Sequence, residues 1–130
     1  MTDPIADLIN QIKKAGAVKK ATVSVPFSNF KLSIAEKLKD AGWVKSVEKK
    51  GKKIKKTLDI TLMYTEEGKA HIQGVKRVSK PGRRIYHGAD EIIPVRYGYG
   101  ALILSTPKGI KTDKEEKKEK IGGEALFQIW

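Results

Sequence analysis

The sequence predicts an α+β protein built as two small domains, an N-terminal helix-covered sheet and a C-terminal, mostly β domain with a short helix. Three observations carry this expectation. Apolar residues recur at helical spacing early in the chain, first as Ile5, Leu8, Ile9 and Ile12, then as Leu32, Ala35 and Leu38. From Val44 the apolar period changes to two. A turn-forming basic connector, Lys80-Pro81-Gly82-Arg83-Arg84, then separates that pattern from a second apolar stretch, Ala101–Thr106.

The elements follow in order. Asp3 suits an N-cap and Pro4 the first helical position, where its missing N–H costs nothing, and Gly16 is the stop signal. Thr22–Val25 reads as a short strand ending at Pro26. Ser28 caps a second helix, with Lys31 in its first turn and Gly42 at its C-terminal end. Val44 and Val47 open a strand whose partner runs from Ile54 through Leu58, Ile60, Leu62 and Tyr64, and Lys49-Lys50-Gly51-Lys52-Lys53 is the tip between them. His71–Val78 is a third strand candidate. Beyond the connector, Ile85-Tyr86 opens the second unit, and Asp90–Ile93 is a brief helical turn stopped by Pro94. Ala101–Thr106 is a strongly apolar strand. Thr112 and Glu115 make a capping box for a charged helix through Lys120, after which Gly122-Gly123 turn the chain into a last strand, Glu124–Trp130. The two domains are expected to span residues 1–76 and 77–130.

Charge speaks to partners rather than to fold. The chain holds 27 Lys+Arg against 15 Asp+Glu, a net of +12, and its pI is about 9.8. Nucleic acid is the polyanion such a balance suits best. An anionic membrane surface competes, but there is no 18-residue apolar run, no signal-peptide core and no lipidation motif, so no membrane partner is expected. Hydrophobic residues make up 39%, too many for a disordered chain. Cysteine is absent, which excludes disulfides and thiolate metal sites and fits a reduced cytoplasmic setting. All four arginines, Arg77, Arg83, Arg84 and Arg96, fall in the second part. Their planar forks suit phosphate oxygens and base edges, so the lysine-rich first part reads as general electrostatics and the second as the seat of specificity.

Several constellations are candidates for contact. The lysines of Lys45–Lys56 either track a phosphate backbone or protect a hairpin edge. Leu104-Ser105-Thr106-Pro107-Lys108-Gly109 ends a buried strand in two hydroxyls, a proline, a lysine and a turn glycine. Short hydroxyls and free backbone N–H groups suit a loop that approaches a nucleotide closely, while the alternative is an ordinary strand-to-helix connection. Gly122-Gly123-Glu124 either brings backbone and one acceptor to a partner or caps a helix. Tyr86, Tyr97 and Tyr99 can stack on bases, although Tyr97 and Tyr99 at strand spacing can equally pack on one face. For catalysis the signals are thin. His71 and His87 lie outside any ligand-spaced motif, and a nuclease cluster of Asp90, Glu91 and Asp113 competes with the use of Asp113 in a first helical turn. No enzymatic activity, metal or cofactor is expected.

These strings together resemble the S-eight family of small-subunit ribosomal proteins in its bacterial form. The resemblance runs through Asp3-Pro4-Ile5-Ala6-Asp7-Leu8, then Arg77-Val78-Ser79-Lys80-Pro81-Gly82-Arg83-Arg84-Ile85-Tyr86, Ser105-Thr106-Pro107-Lys108-Gly109-Ile110, and Gly122-Gly123-Glu124. It implies a cytoplasmic constituent of the ribosome, monomeric when free. Such a protein binds the central domain of small-subunit ribosomal RNA early in assembly and touches neighbouring ribosomal proteins. In some bacteria members also repress their own operon by binding a similar messenger RNA, so a free-standing translational regulator is the alternative. Carried over, Ser105, Thr106, Pro107 and Lys108 enter the minor groove of an irregular helix. Tyr86, Gly123 and Glu124 border it, Arg77, Arg83 and Arg84 belong to the same second-domain surface, and Lys31 supports from the first domain. Lys111 stands where the family usually has an apolar residue.

Overall fold

A computed structural model describes residues 4–51, 56–80, 82–88 and 100–130. These form two compact units, Pro4–Gln73 and Gly74–Trp130.

The first unit comprises α1 (Pro4–Ala17), β1 (Thr22–Pro26), α2 (Asn29–Asp40), β2 (Val44–Lys50) and β3 (Thr57–Leu62). The strands form an antiparallel sheet in the order β1-β3-β2. The central strand alternates as its sequence demands: Leu58, Ile60 and Leu62 are buried, and Thr57, Asp59 and Thr61 are half-buried. Val23 and Val25 of β1 are buried as well, with Val25 directly opposite Leu58. Helix α1 buries Ile5, Leu8, Ile9, Ile12 and Ala15, one apolar stripe at three-to-four spacing. Ser28 caps α2 as expected, its side chain accepting from the Lys31 N–H at 3.1 Å. The stripe of α2 differs by one position. Ile34, Ala35 and Leu38 are buried, whereas Leu32, in the first turn, is only half-buried. Asp3, Lys52, Lys53 and Ile54 lie outside the described residues.

His71–Val78 does not supply a strand to this sheet. Only Val75–Arg77 is extended (β4), and it pairs in the second unit. Just before it, Gly74 exchanges two 3.0 Å backbone hydrogen bonds with Trp130. The C-terminal strand, distant in sequence, thus captures this segment, a pairing that local alternation cannot reveal.

The second unit adds β5 (Tyr86–His87), β6 (Ala101–Thr106), β7 (Gly109–Thr112), α3 (Asp113–Glu119) and β8 (Gly123–Ile129). Its antiparallel order is β4-β8-β6-β7, with β5 also on β8. Strand β6 is buried along nearly its whole length, the pattern of a central strand covered on both faces. Leu102, Leu104 and Ala125 form one cluster, with Val78 and Trp130 packed against it. Ile103, Leu126, Phe127 and Ile129 are also fully buried, and a side chain of this size stabilises by about 2 kcal/mol when withdrawn from water. The capping box on α3 forms as expected: Thr112 accepts from the Glu115 N–H, and the Glu115 carboxylate accepts from the Thr112 N–H at 3.3 Å. Asp90–Ile93 and Pro94 lie outside the described residues.

Helix α3 buries one side chain that the sequence did not flag. Glu116 is fully buried, and among the described residues neither carboxylate oxygen has a hydrogen-bond partner. Burial, with a smaller contribution from the negative charge of Asp113, raises its pKa from 4.5 to about 7. The unfolded chain gives up this proton near 4.5 while the folded chain keeps it to about 7, so the carboxyl's contribution to stability is complete below 4.5 and is lost as pH rises through about 7. Glu116→Gln should abolish that slope and make the variant more stable than the parent at pH 8 by on the order of 2 kcal/mol. Thermal unfolding at pH 5 and pH 8 checks this; equal pH slopes for parent and variant would contradict it.

Candidate nucleic-acid interface

The sheet of the second unit gathers the predicted residues. Ser105 on β6 lies directly opposite Glu124 on β8, and Glu124 lies directly opposite Tyr86 on β5. Directly opposed residues in antiparallel strands project to the same side, so Tyr86, Glu124 and Ser105 form one row across three strands. Tyr86 is 68% exposed, its ring free of the core. Gly123, beside Glu124, is pressed against β6. A Cβ there would lie 2.5 Å from the Ser105 carbonyl oxygen and 2.9 Å from Thr106 Cγ2, so only glycine permits this approach.

Residues 106–109 are a β-hairpin turn rather than a connection into a helix. Thr106 pairs with Gly109, and β7 runs back along β6 before α3 begins. Pro107 presets φ at the first corner, and Gly109 adopts φ +107°, the left-handed geometry that returns the chain into a strand. The Thr106 hydroxyl is committed to this turn, donating to the Gly109 carbonyl at 2.7 Å and accepting from the Lys108 N–H at 3.1 Å. Thr106 is also buried. Its hydroxyl shapes the loop instead of presenting a free group. The Ser105 hydroxyl has no hydrogen-bond partner among the described residues. Pro107 and Lys108 are exposed at the tip.

Arginines flank the row. Arg84 Nη1 lies 3.3 Å from both carboxylate oxygens of Glu124. The pair is asymmetric, for the Arg84 side chain is 55% exposed and that of Glu124 only 12%. Arg84 thus offsets the one negative charge in the row while keeping N–H groups toward solvent. Arg83 is exposed at the end of a tight turn closed by two backbone hydrogen bonds with Lys80, at 2.8 and 2.9 Å. Arg77 is engaged elsewhere. Its guanidinium donates to the Leu126 carbonyl, so it braces β4 on β8. Lys31 belongs to the other unit, where its ammonium donates to the Pro26 carbonyl at 3.3 Å.

Sequence reasoning missed the residue that holds the basic turn in place. Ser79 is fully buried; its hydroxyl accepts from the Ile85 N–H at 2.9 Å and donates to the Ile85 carbonyl at 3.3 Å, while its own N–H donates to Ala125. This ties Ser79 to Ile85 and holds both against Ala125 of β8. The available signal was a serine immediately before a proline-containing turn, a common place for side-chain to backbone closure. Lys111, which stands where the family usually has an apolar residue, is compensated by α3: its ammonium lies 3.9 Å from Glu115 and 3.7 Å from Glu119.

Arg96, Tyr97, Tyr99, Pro81, Asp90 and Glu91 lie outside the described residues. Asp113, the third member of the imagined nuclease cluster, accepts from the Leu102 N–H at 3.3 Å and is buried in the first turn of α3. Among the described residues no group of three or more His, Asp or Glu is disposed to hold a metal ion, and no helix is long and apolar enough to cross a membrane.

The family model described as ribosomal protein S8 matches residues 3–130. The chain is 45% identical over 130 residues to the small ribosomal subunit protein uS8 of Halothermothrix orenii, covering all of this chain and 98% of that protein. It is 48% identical to the protein of the same name from Mycoplasmopsis pulmonis, again over the whole chain and 98% of the relative. The Paracidovorax citrulli protein is 46% identical over 129 residues, covering 99% of this chain and 98% of that one.

Proposed function

The chain belongs to the ribosomal protein S8 family, and from that premise we propose that it is a structural constituent of the small ribosomal subunit, located in cytoplasmic ribosomes. In this reading it binds the central domain of small-subunit ribosomal RNA directly and early in assembly, touches neighbouring ribosomal proteins, and is a monomer when free. It carries out no turnover and uses no cofactor. The observation that carries the RNA reading is the row Tyr86–Glu124–Ser105 beside the Pro107-Lys108 tip, a polar strip with an exposed ring and a lysine at its margin.

Each group has a chemical task. The unengaged Ser105 hydroxyl can both donate and accept, which suits a ribose 2′-hydroxyl or a base edge in the shallow minor groove. Glu124 accepts from a base amino group or a 2′-hydroxyl, and Arg84 keeps its charge from repelling nearby phosphates. Tyr86 offers a stacking face. Lys108, Arg83 and the outer N–H groups of Arg84 contact phosphates, which fixes register without reading sequence. Lys31 adds charge from the first unit. The rigid support is β6 itself, paired on both edges by β7 and β8.

Crosslinking in cells followed by sequencing of the attached RNA tests the proposal. The expected product is one site in the central domain of small-subunit rRNA, and the protein should cosediment with small subunits. Recovery of a messenger RNA alone, with the protein absent from subunits, would replace this reading with that of a free-standing regulator.

A further inference from the structure

We propose that the free edge of β1 receives an extended, basic segment of a neighbouring ribosomal protein, which joins the sheet of the first unit as a fourth strand; this rests on the reading of the chain as a constituent of the small subunit. β1 is an outer strand of the order β1-β3-β2. Its register on β3 decides which backbone groups are used. The Ala21 carbonyl accepts from the Leu62 N–H at 2.9 Å, and the Phe27 N–H donates to the Lys56 carbonyl at 3.1 Å. Val23 and Val25, opposite Ile60 and Leu58, continue that series, so the N–H and C=O groups of the alternate residues Thr22 and Ser24 point away from β3. Both residues are exposed, and these outward groups have no hydrogen-bond partner among the described residues. Pro26 ends the open stretch, since it has no N–H and its carbonyl already accepts from the Lys31 ammonium at 3.3 Å.

The two edges of this sheet differ. β2 carries exposed Lys45 and Lys49 and a bulge between Val44 and Ser46, devices that keep another chain from pairing there. Between Thr22 and Val25, β1 has no charge and no bulge. Charge then selects the occupant. Directly opposed residues place Ser24, Asp59 and Glu48 in one row on the face turned from the core, flanked by the rows Thr22, Thr61, Ser46 and Pro26, Thr57, Lys50. In a chain of net +12, these rows hold two carboxylates against one ammonium, and Lys50 lies 3.5 Å from both carboxylates. A phosphate would find no uncommitted cation in them, which disfavours nucleic acid. A strand added beside β1 sets an outward side chain next to Ser24, at the end of the row that holds Asp59 and Glu48. A lysine or arginine there extends its long stem over Ser24 toward Asp59, which is 24% exposed. Backbone pairing supplies affinity, and the basic side chain selects the segment.

The test follows amide hydrogen exchange, residue by residue, in three states of the full chain. These are the free chain, its complex with small-subunit rRNA alone, and small subunits reassembled from that rRNA and the full set of small-subunit proteins. In the first two states the Thr22 and Ser24 amides should exchange fast. Val23 and Val25, bonded to β3, should exchange slowly throughout and so report an intact sheet. In the reassembled subunit Thr22 and Ser24 should slow by about a hundredfold or more. In subunits carrying Glu48→Lys, about tenfold of that protection should be lost, because the face turns from negative to positive. Full protection with this variant would overturn the basic occupant. Fast exchange of Thr22 and Ser24 in the subunit overturns the proposal. Slowing by rRNA alone gives the edge to RNA and overturns it equally, and both results leave the main reading intact. Slowing in the free chain that grows with its concentration gives the edge to a second copy, again against the proposal. A chain that neither binds rRNA nor enters subunits overturns the underlying reading as well.

Discussion

Binding of the small-subunit rRNA site is expected to weaken about a thousandfold when salt rises from about 50 to about 200 mM, the slope of a contact that neutralises roughly six phosphates. The chain has the charge for it, with a net of +12. The cations are also placed to act together. Lys108 and Arg83 are exposed around one edge of the second sheet, and Arg84 keeps more than half of its side chain in solvent despite its pair with Glu124. Each phosphate engaged releases condensed counterions, and the entropy of that release shrinks as bulk salt rises. A titration that stays nearly flat over this range would sink the polyanion reading. The slope for Lys49→Gln should be shallower by about one contact if that lysine meets a phosphate.

Gly123→Ala is expected to damage fold and binding together. The new methyl would meet the Ser105 carbonyl oxygen at 2.5 Å, and that oxygen is strand backbone without freedom to rotate away. The start of β8 must therefore lift from β6. Overpacking of this kind costs about 1–3 kcal/mol of stability. The same displacement carries Glu124 out of line with Ser105 and Tyr86, so rRNA affinity should fall about ten- to a hundredfold, since roughly 1.4 kcal/mol of misplaced contact is a factor of ten. Denaturant unfolding and a binding isotherm below the unfolding transition separate the two effects. Unchanged stability and affinity would mean that the close approach at Gly123 matters to neither.

Much of this architecture was legible because the local rules and the tertiary result agree. The α1 stripe, the Ser28 cap, the alternation through Leu58, Ile60 and Leu62, the apolar β6 and the Thr112–Glu115 capping box are each set by nearest neighbours along the chain. What failed depended on partners remote in sequence. His71–Val78 looks extended in isolation, yet only Val75–Arg77 is a strand, and Phe127–Ile129, some fifty residues away, decides where it pairs. Strand β7 was unreadable because Gly109–Thr112 is short and polar, and its existence depends on the edge that β6 offers. The site shows the same division. Residue types announced Ser105, Lys108, Tyr86 and Glu124, and only the sheet register places three of them in one row. Sequence could not divide the labour between the two hydroxyls, because that depends on the turn closing through Thr106 and Gly109. The buried roles of Ser79 and Glu116 were hidden for the same reason, since a polar residue reads as surface until its neighbours are known.

The central claim is that the β6–β7 hairpin, with the row beside it, discriminates its RNA through Ser105. The direct measurement is the affinity of wild type and Ser105→Ala for the rRNA central-domain site and for an unrelated structured RNA, at one salt concentration. Charge is unchanged by the substitution and volume nearly so, and the Thr106 hydrogen bonds keep the turn in shape. Loss of one buried hydrogen bond should cost about 1–3 kcal/mol on the specific complex. The account predicts a fall of about tenfold or more for the rRNA site and no change for the unrelated RNA, whereas equal losses on both, or none on the rRNA site, would contradict it.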